Sequence, residues 1–420
     1  MIIKSRSGNS LFSNTLMLYI LTFSNYFFNF ITVPYQTRIL GPVRYGNLGF
    51  ATSMMVYFQL ILDFGFLLSA TEEVAKNQKD KKKLGSILTE VSICKVFLML
   101  LCFVALMLMC SNVDRLKSDP LLFILYFISV AINSFIPDFL YRGLEEMKAI
   151  TVRSVLIKMF FTIMIFILLK EPEQYHIVPL MNLIGNLGAV IGVYIHLKKK
   201  MGIRFEKVSI SQVLNTFKKS STFFYSRIAS TVYSATNTFI LGFLYGESSP
   251  IVGYFSTADK LITTGKQAIT PVTDSLYPYM VSHKDFKLAK KLLLIGTPVL
   301  TAGCIFLAVF AEPICVILFG EAFRESSQYL RLLVPIVWCA FPGMMFGFPI
   351  LSPMGLSKYA NISNIIGAIV QIVLLVIIYL CGMLDATSIC IATCITEVLT
   401  VSFRVLVVWF NRDRLRISNE

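Results

Sequence analysis

Apolar runs long enough to cross a bilayer recur from one end of this chain to the other. Nothing else in the sequence constrains its fold as much. "KVFLMLLCFVALMLMC" (Lys95–Cys110) is part of one such run. About 20 apolar residues in a helix span the ~30 Å hydrocarbon core. Hydrocarbon offers a backbone no hydrogen-bond partner, so each crossing segment must satisfy its own N–H and C=O groups. Repeated runs of this length therefore predict an all-α polytopic membrane protein. The composition agrees, with 56% hydrophobic residues and a mean hydropathy of +0.71.

Twelve spans are predicted, at roughly 10–33, 45–69, 84–110, 120–139, 150–169, 176–197, 219–245, 250–281, 288–311, 328–351, 358–380 and 386–409. Pro137 and the charged run "YRGLEEMK" (Tyr141–Lys148) divide what would otherwise read as one long helix. The first run is too long for a signal-peptide core and has no small-residue cleavage site, so it is expected to remain as a helix.

The formal charge of +14 could suggest a nucleic-acid partner. Its distribution argues against one, because the basic residues are scattered among short loops. With twelve spans, 25 of the 38 Lys and Arg fall on the side of the termini and 6 on the other. Such a bias places both termini in the cytoplasm. The longest linker, "LKKKMGIRFEKVSISQVLNTFKK" (Leu197–Lys219), divides six spans from six. The expected organisation is an N-terminal bundle at 1–197, a basic cytoplasmic linker at 198–218, and a C-terminal bundle with a short basic tail at 219–420. A faint repeat accompanies it, since Gly46 aligns with Gly253 and Ala51 with Ala258. Two halves of six spans would be parallel repeats.

The nine cysteines lie mostly within apolar runs and read as small buried hydrophobes. His176, His196 and His283 are scattered, with no metal-ligand spacing, so no metal site is expected.

The polar residues inside the spans carry the functional signal. In the eighth span Ser256, Asp259, Lys260, Thr263, Lys266, Gln267, Thr270 and Asp274 fall within an arc of ~120° at helical pitch. A stripe this long should face a wet cavity or the bundle interior, never lipid. A purely structural role would pair Asp259 with Lys266. Other spans carry shorter polar faces: Asn14, Asn25 and Asn29; Gln59 and Asp63; Arg227, Ser230, Ser234 and Asn237; Asn361, Asn364 and Gln371; Glu397 and Arg404. Single Asn and Ser residues in such helices often serve as packing glue. Near mid-span, four cations (Lys95, Lys158, Lys260, Lys266) outnumber two acids (Asp259, Glu397), which favours an anionic or neutral polar cargo. Pro271, Pro335, Pro342, Pro349 and Pro353 predict kinks or unwound turns that could bend passively or act as hinges.

Several stretches resemble a known family. "PDFLYRGLEEMKAITVRS" (Pro137–Ser154), "RILGPVRYGNLGFATSM" (Arg38–Met54), "DFGFLLSATEEVA" (Asp63–Ala75), "VGYFSTADKL" (Val252–Leu261), "LFGEAFRESSQYLRLLVPI" (Leu318–Ile336) and "LSPMGLSKYANISNIIGAI" (Leu351–Ile369) occur in the family's order over nearly the whole chain. As a set they are similar to Wzx-type O-antigen or capsule repeat-unit flippases, in the polysaccharide branch of the multidrug/oligosaccharidyl-lipid/polysaccharide exporter superfamily. The resemblance implies two six-helix bundles in a MATE-like V with pseudo-two-fold symmetry. It also implies a bacterial cytoplasmic-membrane location and an undecaprenyl-pyrophosphate oligosaccharide as cargo. A polysaccharide polymerase and chain-length machinery are implied as partners, together with membrane lipid. By position on cavity-facing helices, Lys158, Arg227, Lys260 and Lys266 would contact cargo, with Asn25, Asn29 and Gln267 suited to sugar hydroxyls.

No cofactor is expected, and there is no nucleotide-binding motif. A proton or sodium gradient could couple through Asp63, Asp259 or Glu397; the sequence does not choose between the ions. A drug exporter of the same superfamily would share the fold, but cationic drugs favour an acidic cavity. A membrane polymerase would normally need a catalytic loop. The longest external loop, Ala311–Ser327, has Glu312, Glu321 and Glu325 but no nucleophile–base arrangement.

Overall fold

The computed structural model describes residues 7–412; the side chains of residues 7–16, 18, 25, 26, 226, 229, 230 and 232–234 fall outside that description. Regular structure among the described residues is helical throughout. The principal helices are α1 (Ser7–Asp63), α2 (Phe66–Lys76), α3 (Lys81–Asn112), α4 (Asp114–Lys117), α5 (Pro120–Ser134), α6 (Asp138–Gly143), α7 (Met147–Leu168) and α8 (Ile177–His196). They continue with α9 (Ile210–Tyr245), α10 (Ile251–His283), α11 (Phe286–Val309), α12 (Ala311–Phe319), α13 (Ser326–Met345), α14 (Phe348–Leu351), α15 (Ser357–Leu380) and α16 (Ala386–Phe410).

Among the described residues, nine helical stretches are long and apolar enough to cross a membrane. The first, Tyr19–Lys76, is 58 residues long and accommodates the first two predicted spans. Helices α9 and α10 are long enough, at 36 and 33 residues, but are more polar than these nine. Large apolar side chains are exposed along the outer helices; on α11 these include Leu294, Ile295, Val299, Ile305, Phe306 and Val309. Such a surface belongs in hydrocarbon rather than water. The chain is a multi-pass membrane protein.

Glycine and proline set the breaks. Within α1, Gly41 takes φ 65°, a left-handed conformation that non-glycine residues rarely adopt, and Pro42 follows it. The two predicted spans therefore meet at a kink with no intervening loop. The second ends at Asp63, earlier than expected, where Phe64 and Gly65 both have positive φ. Pro137 separates α5 from α6, and Glu145 at φ 60° lies in the turn before α7. The tenth predicted span is broken after Met345, and α14 starts again with Pro349 near its N-terminus.

Packing divides the chain into two units, residues 1–40 with 50–231, and residues 41–49 with 232–420. The division differs in detail from the expected 1–197, 198–218 and 219–420, because the linker is part of the first unit. There, Ile203 is buried, and the Glu206 N–H donates to Thr89 Oγ1 of α3 at 3.0 Å. Thr216 donates to the buried Glu90 at 2.6 Å. The last part of the predicted linker is already helical, since α9 starts at Ile210. The first unit's core is aromatic: Phe50 packs edge-on against Phe123 with ring centroids 5.7 Å apart, and Phe58 against Phe127 at 5.4 Å. α7 joins α1 through Thr162 and Thr32 (3.1 Å) and through the Tyr35 hydroxyl, which donates to the Leu169 carbonyl (2.9 Å).

In the second unit, α10 packs on α13, which packs in turn on α11 and α16. Gly46 and Gly253, the aligned pair of the faint repeat, lie against each other. A Cβ on Gly253 would come within 2.0 Å of the Pro42 carbonyl oxygen, and one on Gly46 within 2.7 Å of the Gly253 nitrogen. Only glycine at both positions permits this crossing.

Candidate functional site

The stripe on α10 changes character along its length. At its start Ser256 is half-buried, and Thr257, just off the stripe, is fully buried and shares a 2.9 Å hydrogen bond with Ser326 of α13. Asp259 and Lys260 are half-buried. Thr263 and Thr264 turn their hydroxyls back onto the carbonyls of Asp259 (2.9 Å) and Lys260 (2.7 Å), a common way to satisfy Thr in a membrane helix. Lys266 Nζ donates to Glu397 Oε1 of α16 at 2.5 Å, with the two side chains 25% and 11% exposed. The partner of Lys266 is thus Glu397 and not Asp259, the pairing a purely structural role would have used; Asp259 lies within electrostatic reach of Lys260 and Lys266. Gln267, one residue on, is exposed.

Beside the ion pair, four polar side chains join α9, α15 and α16. Asn237 Nδ2 donates to Thr393 Oγ1 (2.8 Å), and Gln371 Nε2 donates to Asn237 Oδ1 (3.0 Å) and to Thr393 (3.2 Å). Thr396 Oγ1 donates to Gln371 Oε1 at 2.8 Å. Gln371 and Thr396 are fully buried. A network closed in this way holds helices in register, because any missing member would leave a buried polar group unpaired.

Further along α10 the stripe opens. Thr270, Thr273, Asp274 and Tyr277 line a cavity of about 410 Å³ with Gly347, Phe348 and Arg404. The cavity lies at the break between α13 and α14. There the Gly347 N–H bonds to Met344, which leaves the Gly343 carbonyl without its helical donor. Arg404 Nη1 of α16 donates to that carbonyl at 2.5 Å. Its other nitrogens donate to Ser363 (2.7 Å) and Asn364 (2.6 Å) of α15. Unwound backbone at membrane depth is tolerated where a neighbour satisfies it in this way. Sequence reasoning placed Arg404 on a polar face but did not make it a site residue. The run of four prolines from Pro335 to Pro353, opposite a charged residue within a span, was the available signal.

The first unit holds the other candidates. Lys158 is half-buried on α7, one turn before Thr162. Asn29 is exposed on α1, and the Asn25 side chain lies outside the described residues, as do those of Asn14, Ser230 and Ser234. Arg227 of α9 faces Asp63 at the end of α1, 3.9 Å apart. Lys95 is buried and donates to the Ser134 carbonyl, freed at the end of α5 because the Asp138 N–H bonds to Ile136. That use is structural. Asp138 pairs with Arg153 at 2.8 Å. Elsewhere, Asp119 caps α5 and holds His176 at 2.9 Å. Arg324 bridges Glu312 of α12 and Glu321.

Among the described residues, no group of three His, Cys, Asp or Glu could hold a metal ion. The site is a set of buried, paired charges and hydroxyls, beside a largely apolar cavity into which Thr270, Thr273, Asp274 and Arg404 bring polar groups.

The chain is similar to two curated proteins over nearly its full length. One from Shigella dysenteriae, named "Putative O-antigen transporter", is 27% identical over 93% of this chain and 98% of its own. One from Escherichia coli (strain K12), with the same name, is 25% identical over 96% and 98%. Among solved structures, lipid II flippase MurJ in an inward closed conformation aligns with a TM-score of 0.75 at 12% identity, over 94% of this chain and 87% of that one. An inward-facing MATE family multidrug resistance transporter of the MOP superfamily aligns with a TM-score of 0.69 at 15% identity, over 97% and 99%. At those identities the likeness is one of fold. Residues 11–284 match the family described as polysaccharide biosynthesis protein. With most of its length covered by that match and its helices arranged as in these transporters, the chain belongs to the polysaccharide biosynthesis protein family.

Proposed function

We propose that this protein is a flippase. It carries undecaprenyl-pyrophosphate-linked oligosaccharide repeat units from the cytoplasmic to the outer leaflet of the bacterial plasma membrane, for capsule or O-antigen assembly. The observation that carries the reading is the polar face of α10 within the membrane-spanning part of a polysaccharide biosynthesis protein. Such a cargo is amphiphilic. Its isoprenoid tail can remain in hydrocarbon, while the sugar–pyrophosphate head needs hydrogen-bonding groups along its route. Lys158, Arg227, Lys260 and Lys266 suit the pyrophosphate, and Asn25, Asn29 and Gln267 suit sugar hydroxyls.

The proposed topology is twelve spans with both termini cytoplasmic, in two halves of six that rock in alternating access. The prolines inside α10 (Pro271) and α13 (Pro335, Pro342) would serve as hinges. Coupling would run through Asp63, Asp259 or Glu397. Two of these acids face a cation, Arg227 or Lys266, so an arriving proton or sodium ion would compete with it. A polymerase and chain-length machinery would take the product.

The test is deletion in a strain without a redundant flippase. Lipid-linked repeat units should accumulate on the cytoplasmic leaflet and surface polymer should vanish. Normal polymer together with new sensitivity to cationic dyes would overturn the reading in favour of drug export.

A further inference from the structure

A second cavity, of about 840 Å³, lies between α7 and α8 in the first unit. Its depth is apolar, lined by Leu156, Ile157, Phe160 and Ile184. One end is cationic, with Lys148, Arg153 and Lys200 against a single acid, Glu146. The helices run antiparallel, so the start of α7 and the end of α8 meet at that charged end, and glycine opens the space between them. A Cβ on Gly185 would touch Ile157 at 3.3 Å, but at Gly188 and Gly192, one and two turns closer to the charged end, it would meet nothing within 4 Å. Gly188, Gly192, Val152 and Leu156 are exposed, so the space is an open groove rather than a sealed void. Arg153 pairs with Asp138 through one nitrogen, while its buried Nε has no hydrogen-bond partner among the described residues.

An apolar slot with cations at one end matches an amphiphile with an anionic head. Basic pockets between membrane helices on the cytoplasmic side bind anionic lipid head groups, and the loop-charge bias assigns this end to the cytoplasm. We propose that the α7–α8 groove is a binding site for one anionic diacyl phospholipid of the cytoplasmic leaflet. Its phosphate lies at Arg153, Lys148 and Lys200, and its chains run past Gly192 and Gly188 towards Phe160. Binding there does not depend on the identity of the transported cargo.

The test uses the purified full chain, delipidated in detergent. Equimolar dioleoyl-phosphatidylglycerol and dioleoyl-phosphatidylcholine are added, and retained lipid is counted by native mass spectrometry. One phosphatidylglycerol should be retained, favoured ~10-fold or more, since each nearby cation favours an anionic lipid. Gly188→Leu with Gly192→Leu should fill the groove, leave the lipid-free melting temperature unchanged, and abolish that preference. Lys148→Ala with Lys200→Ala should weaken it without blocking the groove. Equal retention of the two lipids would overturn the proposal, as would undiminished preference in the leucine variant. Displacement of phosphatidylglycerol by equimolar undecaprenyl phosphate would also overturn it, by assigning the groove to isoprenoid lipid.

Discussion

Lys266 and Glu397 are the residues on which a structural and a transport role can be separated. The pair is mostly buried, so removing one member leaves a charge in a poor solvent at a cost of about 3–5 kcal/mol. Lys266→Ala alone should therefore lower the amount of protein in the membrane, and Glu397→Gln should do so less, because the amide can still accept from the lysine. Lys266→Ala combined with Glu397→Gln removes both charges and should restore abundance. Surface polysaccharide measured alongside abundance then decides the role. If the double variant is abundant but does not export, the pair contributes to transport; if export returns as well, it serves packing alone. Lys266→Arg should give a folded protein with reduced export, since guanidinium keeps the charge but not the shape.

Helix ends explain where several intramembrane cations are spent. Lys95 satisfies the Ser134 carbonyl where Pro137 breaks the fourth span, and Arg404 satisfies the Gly343 carbonyl where the tenth is unwound. Both breaks were visible as prolines, but their partners come from other helices and were not. The linker is also shaped by a helix end. Gly85, in the first turns of α3, lies so close to it that a Cβ would come within 2.2 Å of the Arg204 carbonyl oxygen. Gly85→Ala should lift the linker from α3 and expose Ile203. Limited trypsin digestion of the purified protein should then cut after Arg204 at least ~5-fold faster than in the wild type, because cleavage follows the population of the opened segment. An unchanged rate would mean that the linker is anchored elsewhere, for instance by Thr216 and Glu90.

At the scale of the whole molecule, the charge bias predicts its orientation. In a variant with the nine free cysteines replaced, single cysteines at Asn77 and Ser209 should resist an impermeant thiol reagent in intact cells. One at Ser248, in the turn between α9 and α10, should react. Labelling at Asn77 with protection at Ser248 would reverse the topology. The polar helices α9 and α10 make this test informative, because composition alone does not mark them as crossing the membrane.

The sequence by itself determined that the chain is helical and embedded in a membrane, because hydrocarbon accepts only segments whose backbone bonds are internal. It marked the break at Pro137 and flagged the tenth span through its prolines, since proline acts through its own backbone conformation, whereas the kink at Gly41 was not read from it. It also placed the polar stripe on one face of α10, because helical pitch is constant. Only the tertiary structure decided what that face meets. It paired Lys266 with Glu397 rather than Asp259, closed the Asn237–Gln371–Thr393–Thr396 network, and opened a cavity at Thr270 and Asp274. It packed Gly46 against Gly253, where alignment had shown only a repeat. Each of these depends on contact between residues far apart in the chain, and a linear pattern records which face is polar but not which helix lies against it.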